Sequence, residues 1–292
     1  MIIAFLGTGL MGLPMASNLL KAGFKVNVYN RSIERTAPLA ALNAQIYADP
    51  AEAIHNADII ISMFDSEQAQ ERVLINSVTL AVCKANSLII DMASISPSAA
   101  KRHAKLASSY QLSYLDAPVS GGTLGAQQAE LVIMVGGDSA DVRRAQPIFS
   151  ALGKKNIHMG PIGCGQITKC ANQTIVGITI GAISEALLLA RESGVDIASV
   201  REALLGGFAA SKVLDQHGLR IVERNFTPGA TAEVQLKDLK NTLAVARDCQ
   251  LTLPFTQLAA SQYEQLIKQG QQALDHSALT LLLEQNNNRG HQ

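Results

Sequence analysis

The sequence lacks an excess of either charge: 24 Lys and Arg stand against 24 Asp and Glu. A nucleic-acid surface needs a basic patch to neutralise phosphate, so no nucleic-acid partner is expected. No polybasic segment is present to hold an anionic lipid surface. Cysteine is scarce, with Cys83, Cys164, Cys170 and Cys249 the only four, and none form a C-x-x-C pair. That removes the usual metal-ligand spacing, and a disulfide scaffold is not expected in a chain of 292 residues. Free thiols, and no metal site, are the expectation. The opening MIIAFLGTGLMG has no basic residue and is soon broken by glycine, unlike a secretory signal. No run of some 18 purely apolar residues occurs, so no membrane span is expected. A cytoplasmic protein is the reading that these absences leave.

What is present is apolar material in two different patterns. Hydrophobic residues make up 48% of the chain, enough for a sizeable core. In the first half, strand-like and helix-like segments alternate. IIAFLG, KVNVYN, ADIIISMF (57–64) and SLIIDMA (87–93) read as strands, several as continuous runs of the kind buried on both faces of a parallel sheet. LMGLPMASNLLKAG and the stretches 32–42, 66–74 and 96–109 read as helices between them. LSYLDA and ELVIMVGG extend the strand series to about residue 137, and none is expected after about 160. Repeated strand–helix–strand order means an open α/β sheet. The second half reads as helix throughout. One helix is expected from Gly165 to Glu192, uncharged between Lys169 and Glu185 and so buried nearly all round. Shorter helices follow at 196–205, 232–248, 255–269 and 277–285, and the tail QNNNRGHQ is expected to fray. The fold class is therefore an α/β domain, residues 1–162, followed by an all-helical domain, residues 163–292, built around one long helix.

Gly7, Gly9 and Gly12 spell G-x-G-x-x-G directly after the first strand and at the opening of a helix. The three glycines have separate tasks: a tight turn, close approach of backbone to a pyrophosphate, and close packing of helix on strand. Thr8, Leu10 and Met11 complete this loop, whose amides at a helix N-terminus favour an anion. A carboxylate at the end of the second strand would bind the ribose hydroxyls of NAD. Asn30, Arg31 and Ser32 stand there instead. Arg31 suits a 2′-phosphate, so NADP(H) is expected over NAD(H), the latter staying possible.

The segment DAPVSGG (116–122) follows a strand, where ligands of α/β sheets bind. Ser120 offers a hydroxyl, and Gly121 and Gly122 allow backbone amides to approach a carboxylate. In GQITKCANQ (165–173), Lys169 heads the uncharged run; on a helix Asn172, Gln173 and Val176 share its face. Taken in order, FLGTGLMGLPMASNLLKAG, DAPVSGG, GQITKCANQ and QLKDL resemble the β-hydroxyacid dehydrogenase family, which includes 3-hydroxyisobutyrate dehydrogenases. The likeness runs from residue 1 to about 285. ANQ, RNFTPG and DHSAL look most like its tartronate semialdehyde (2-hydroxy-3-oxopropionate) reductases. The resemblance implies a Rossmann domain, a helical domain that pairs into a homo-dimer or homo-tetramer, and NAD(P)-dependent interconversion of a small β-hydroxy acid and its semialdehyde. By the same resemblance Lys169 is the catalytic acid and base, and Ser120, Gly121, Gly122, Asn172 and Gln173 bind substrate. Met63, Phe64, Ser94 and Lys237 line the cofactor. Many dehydrogenases of the family carry Asn at the place of Gln173, which shifts the pocket. An imine reductase of similar fold is disfavoured by the presence of Lys169. A non-catalytic dinucleotide-binding module is disfavoured by the intact lysine and serine–glycine loop.

Overall fold

The computed structural model describes residues 1–289. The chain divides into two compact units, Met1–Lys169 and Cys170–Gln292. The strands are β1 (Ile2–Leu6), β2 (Lys25–Tyr29), β3 (Gln45–Tyr47), β4 (Ile59–Ser62), β5 (Leu88–Asp91), β6 (Ser113–Asp116), β7 (Val119–Ser120), β8 (Leu131–Gly136) and β9 (Gly153–Gly160). The helices of the first unit are α1 (Gly12–Lys21), α2 (Ala37–Ala40), α3 (Pro50–Ile54), α4 (Glu67–Val73), α5 (Ser77–Ala81), α6 (Pro97–Ser108), α7 (Gly122–Gln127) and α8 (Ser139–Leu152). Then come α9 (Cys164–Glu192), α10 (Ile197–Leu205), α11 (Leu219–Val222), α12 (Ala232–Asp248), α13 (Pro254–Lys268) and α14 (Leu279–Asn286). The division between the units falls inside α9.

The nine strands form one sheet in the order β3-β2-β1-β4-β5-β6-β8-β7, with β9 beside β8. Strands β1 to β6 pair in parallel. Side chains alternate across a strand, so each apolar run feeds two cores at once. Ile3, Phe5, Ile59, Ile61, Leu88 and Ile90 pack on one face. Ala4, Leu6, Ile60 and Ile89 pack on the other. The far end of the sheet is mixed, which the alternating pattern does not predict: β8 runs antiparallel to both β6 and β7. Residues 121–130 do not cross the sheet, so the chain returns beside itself, whereas the longer α8 supplies a crossover and leaves β9 parallel to β8. Strand β9 reads GKKNIHMG and is largely exposed. A polar edge strand has no apolar run to announce it. The expected helix at 32–42 is a 3₁₀ turn, Ile33–Thr36, followed by the four residues of α2.

The second unit has two apolar clusters. One gathers Ile180, Leu236, Leu239, Tyr263, Leu266 and Leu279. The other gathers Ile183, Leu187, Leu214 and Ile221. Helix α9 contributes to both, yet it is not buried all round as its composition suggests. Ile175 is 65% exposed and Leu189 70% exposed. The shorter helices pack along one side of it, and a stripe of apolar residues remains open. By length and composition α9 could cross a membrane. Its buried Gln173 and Ser184 and its packed Ile180 and Leu187 mark it instead as a core helix.

The DHSAL segment acts as a staple. Asp275 is fully buried and accepts from Gly229 N at 2.9 Å, Ser277 N at 3.0 Å and Ser277 Oγ at 2.6 Å. Burial pushes its pKa up, but His217, the His276 charge and Ser277 outweigh it and hold the carboxyl well below the usual range. His217, Asp275 and His276 have the spacing of a metal group, but both Asp275 oxygens already serve backbone amides and Ser277. The tail is more ordered than its composition suggests. Asn287 Nδ2 donates to Leu283 O at 2.8 Å, and Arg289 Nε pairs with Glu192 Oε2 at 3.2 Å. The rest of the expected frayed tail, 290–292, lies outside the described residues.

Candidate active site

Strand order reverses between β1 and β4, which makes their carboxyl ends the crevice where an open α/β sheet takes its ligand. Three predicted cofactor segments lie at such strand ends. The Gly7–Gly12 loop leaves β1, Met63 and Phe64 follow β4, and Ser94 follows β5. The structure brings the first two together. Gly7 has φ +98°, and a Cβ there would stand 2.5 Å from Met63 O and 3.2 Å from Phe64 Cδ1. A Cβ on Gly12 would run into the carbonyl oxygen of Gly7. Gly9 is different: nothing lies within 4 Å of the added carbon. Beside it Thr8 is 2% exposed, and its Oγ1 is buried with no hydrogen-bond partner. Open backbone next to an orphaned hydroxyl, at a helix start, fits a pyrophosphate. Leu10 is exposed and Met11 half-buried at the head of α1.

Asn30 is committed to the loop. Its Oδ1 accepts from Thr8 N at 2.9 Å, and its Nδ2 donates to Ser32 O at 2.9 Å. Between them Arg31 is exposed.

The second cluster of the first unit forms around DAPVSGG. Strand β7 pairs Ser120 with Val132 and so pins the serine to the sheet. Gly121 and Gly122 have φ +139° and +62°, a turn that favours glycine, and both are exposed. Lys169 Nζ donates to Val119 O at 2.8 Å, one residue before Ser120. The lysine thus sits on the loop that the sequence assigns to substrate.

In the second unit Asn172, Gln173 and Lys237 gather around a residue that sequence reasoning passed over. Asp238 is 2% exposed. Gln173 Nε2 donates to Asp238 Oδ2 at 2.7 Å, and Asn172 Nδ2 donates to Gln173 Oε1 at 2.8 Å. Lys237 Nζ lies 3.6 Å from Asp238 Oδ1. A carboxylate only accepts, so Asp238 orients the Gln173 amide, and Gln173 in turn orients Asn172. The QLKDL motif contained this aspartate, but nothing in its pattern distinguished a buried acid from a surface charge pair.

Two further buried acids were also missed. Asp91 accepts from Tyr114 Oη at 2.7 Å and Ala93 N at 3.1 Å. Burial pushes its pKa up to about 7, against the pull of those donors. Asp116 is held at about 6, again by burial, against the backbone amides of Gly163 and Gln166.

Comparison with known proteins covers both halves. Residues 2–160 match the NAD binding domain of 6-phosphogluconate dehydrogenase, and residues 163–283 match the NAD-binding domain of NADP-dependent 3-hydroxyisobutyrate dehydrogenase. The chain is 41% identical over 286 residues to 2-hydroxy-3-oxopropionate reductase of Escherichia coli K12, covering 97% of each. It is 33% identical over 291 residues to NAD-dependent L-serine dehydrogenase of Pseudomonas aeruginosa, again covering 97% of each. Among solved structures, 3-hydroxyisobutyrate dehydrogenase of Mycobacterium tuberculosis, described with L-serine, superposes with a TM-score of 0.86 at 31% identity. That match covers 97% of this chain and 98% of the other.

Proposed function

The chain belongs to the β-hydroxyacid dehydrogenase family of 3-hydroxyisobutyrate dehydrogenase-like enzymes, and from that premise we propose that it reduces tartronate semialdehyde to glycerate with NADPH. The reaction class is NAD(P)-dependent oxidoreduction at a CH–OH group, run in this reading toward the alcohol. The observation that carries the reading is the Lys169 ammonium seated on Val119 O, beside Ser120 and the paired glycines. When bound, the reduced dinucleotide supplies the hydride. Reduction leaves negative charge on the former carbonyl oxygen, and Lys169 Nζ gives that oxygen its proton. In the reverse direction the same amine takes the proton back. The substrate carboxylate meets the Ser120 hydroxyl and the amides of Gly121 and Gly122. Asn172 and Gln173 are assigned to the polar groups of the substrate, and Lys237 to the cofactor. The loop from Gly7 to Gly12, with Asn30, Arg31, Ser32, Met63, Phe64 and Ser94, holds the dinucleotide.

In this reading residues 1–162 bind the cofactor, residues 163–292 serve substrate binding and dimerisation, and the enzyme is cytoplasmic. The substrate is tested by steady-state reduction of tartronate, succinic and methylmalonate semialdehydes and glyoxylate, with L-serine assayed in the oxidative direction. Tartronate semialdehyde is expected to give the highest kcat/KM. A higher value for any other compound overturns the substrate assignment and leaves the reaction type standing. The cofactor is tested on the same substrate. NADPH is expected to exceed NADH, and Arg31→Asp to reverse the order, because the guanidinium that pairs with a 2′-phosphate becomes a repelling carboxylate. Equal kcat/KM for the two cofactors in the unaltered protein contradicts the preference.

A further inference from the structure

We propose that Asp116 is a positioning residue: it bolts the first turn of α9 to the sheet and so sets Lys169 on the substrate loop. The inference rests on the functional reading of Lys169 given above. Asp116 ends β6 and is fully buried. Its Oδ1 accepts from Gly163 N at 2.8 Å, and its Oδ2 accepts from Gln166 N at 2.9 Å. These are amides at the start of α9, which have no carbonyl partner within the helix. Both carboxylate oxygens therefore face N–H groups, an arrangement that suits an acceptor-only side chain.

Gln166 completes the bolt. It too is fully buried. Its Nε2 donates to Ala93 O at 2.8 Å, and its Oε1 accepts from Ile95 N at 3.2 Å. The helix start is thereby tied to the end of β6 and to the segment that follows β5. Glycine makes the approach possible. A Cβ on Gly165 would stand 2.6 Å from Asp116 O and 2.9 Å from Asp116 Oδ2. A Cβ on Gly136 would collide with Asp116 Oδ1.

One short segment thus holds the helix at two heights. The Asp116 side chain takes the amides of Gly163 and Gln166, and three residues later the Val119 carbonyl takes Lys169 Nζ at 2.8 Å. Lys169 lies three residues beyond Gln166, about one turn along the same face. If the first turn shifts, the ammonium leaves its place beside Ser120. Asn at position 116 keeps the shape but turns an NH₂ group toward one of the two N–H donors. That leaves a buried amide unsatisfied and pushes the turn away.

The test measures kcat, KM and thermal midpoint for Asp116→Asn, Lys169→Ala and the double variant in the full chain. For Asp116→Asn, kcat is expected to fall about 10–100-fold, the scale of a catalytic group displaced by an ångström, with both KM values changing less than about threefold. In the Lys169→Ala background the same change is expected to cost less than about twofold, because a positioning residue has nothing left to position. Equal fold-losses in both backgrounds, or an unchanged kcat in folded Asp116→Asn, overturns the proposal. Should Asp116→Asn not fold, Gln166→Leu loosens the same turn and is read by the same cycle. Near-normal turnover in Lys169→Ala has a different meaning: it overturns the functional reading itself.

Discussion

In the proposed mechanism Lys169 concentrates the chemistry in one amine, and its substitution is the sharpest test at the scale of a residue. Lys169→Ala is expected to lower kcat by about 10²–10⁴, the usual share of general acid–base catalysis. Dinucleotide affinity is expected to hold, since the proposed phosphate loop at Gly7–Gly12 belongs to another part of the sequence. Lys169→Arg is expected not to restore turnover, because guanidinium does not release its proton near neutral pH. Titration calorimetry of the dinucleotide beside steady-state kinetics checks both; lost affinity with near-normal kcat would make the lysine a binding residue. Asp91 yields a prediction about stability. Its folded pKa is raised from 3.8 to about 7 by burial. Between those values the folded state keeps a proton that the unfolded chain releases, so this group's contribution falls as pH rises from about 4 to 7 and levels off above. Asp91→Asn carries no titratable proton. The decline in thermal midpoint across that window is expected to be shallower in Asp91→Asn than in the unaltered protein, and parallel curves would contradict it.

At the scale of an element, the loop between β1 and α1 is expected to separate folding from binding within six residues. Gly12 touches the Gly7 carbonyl, so an added methyl has no room and the helix must lift off the strand. Gly9 faces open space, so a methyl there costs the fold little. Gly12→Ala is therefore expected to lower the thermal midpoint by several degrees, the effect of a destabilisation of roughly 1–3 kcal/mol. Gly9→Ala is expected to leave the midpoint within about a degree, since it introduces no clash, and to weaken dinucleotide binding by about tenfold or more, by blocking the approach of the pyrophosphate. Differential scanning fluorimetry with and without NADPH distinguishes the two. The same two-sided logic applies to α9. Its apolar length reads from the sequence as burial all round, yet the shorter helices cover one side and leave Ile175 and Leu189 open.

At the scale of the whole molecule, those open residues have company. Phe208, Phe255 and Leu258 are also exposed in the second unit, Phe255 at 73%. Each large apolar side chain withheld from water is worth about 1.5–3 kcal/mol, so covering several of them favours association. We therefore expect a homo-dimer or homo-tetramer. Light scattering at micromolar protein should give a mass of at least twice the 31.0 kDa of one chain. A mass of one chain would contradict the expectation. Ile175→Glu with Leu189→Glu is expected to reduce the assembled fraction if this side of α9 carries the interface.

The sequence alone determined the features that depend on local pattern. Apolar runs of strand length, separated by helical periods, dictated the parallel part of the sheet, because each run had to bury both faces. Gly7, Gly9 and Gly12 announced the tight turn from β1 into α1, the loop proposed here to take the phosphates, through spacing and position. Lys169 stood out as one charge at the head of a long uncharged run. Tertiary structure decided the features that depend on which residues meet. Strand β9 has no apolar run, and only its pairing with β8 makes it a strand. The antiparallel return of β8 follows from where its connection runs rather than from its composition. Asp91, Asp116 and Asp238 look in sequence like any surface acid. Their burial, and the amides, hydroxyls and carboxamides that offset its cost, arise from segments tens of residues away. A charge is placed in an interior only when distant partners converge on it, and that convergence is a property of the folded chain.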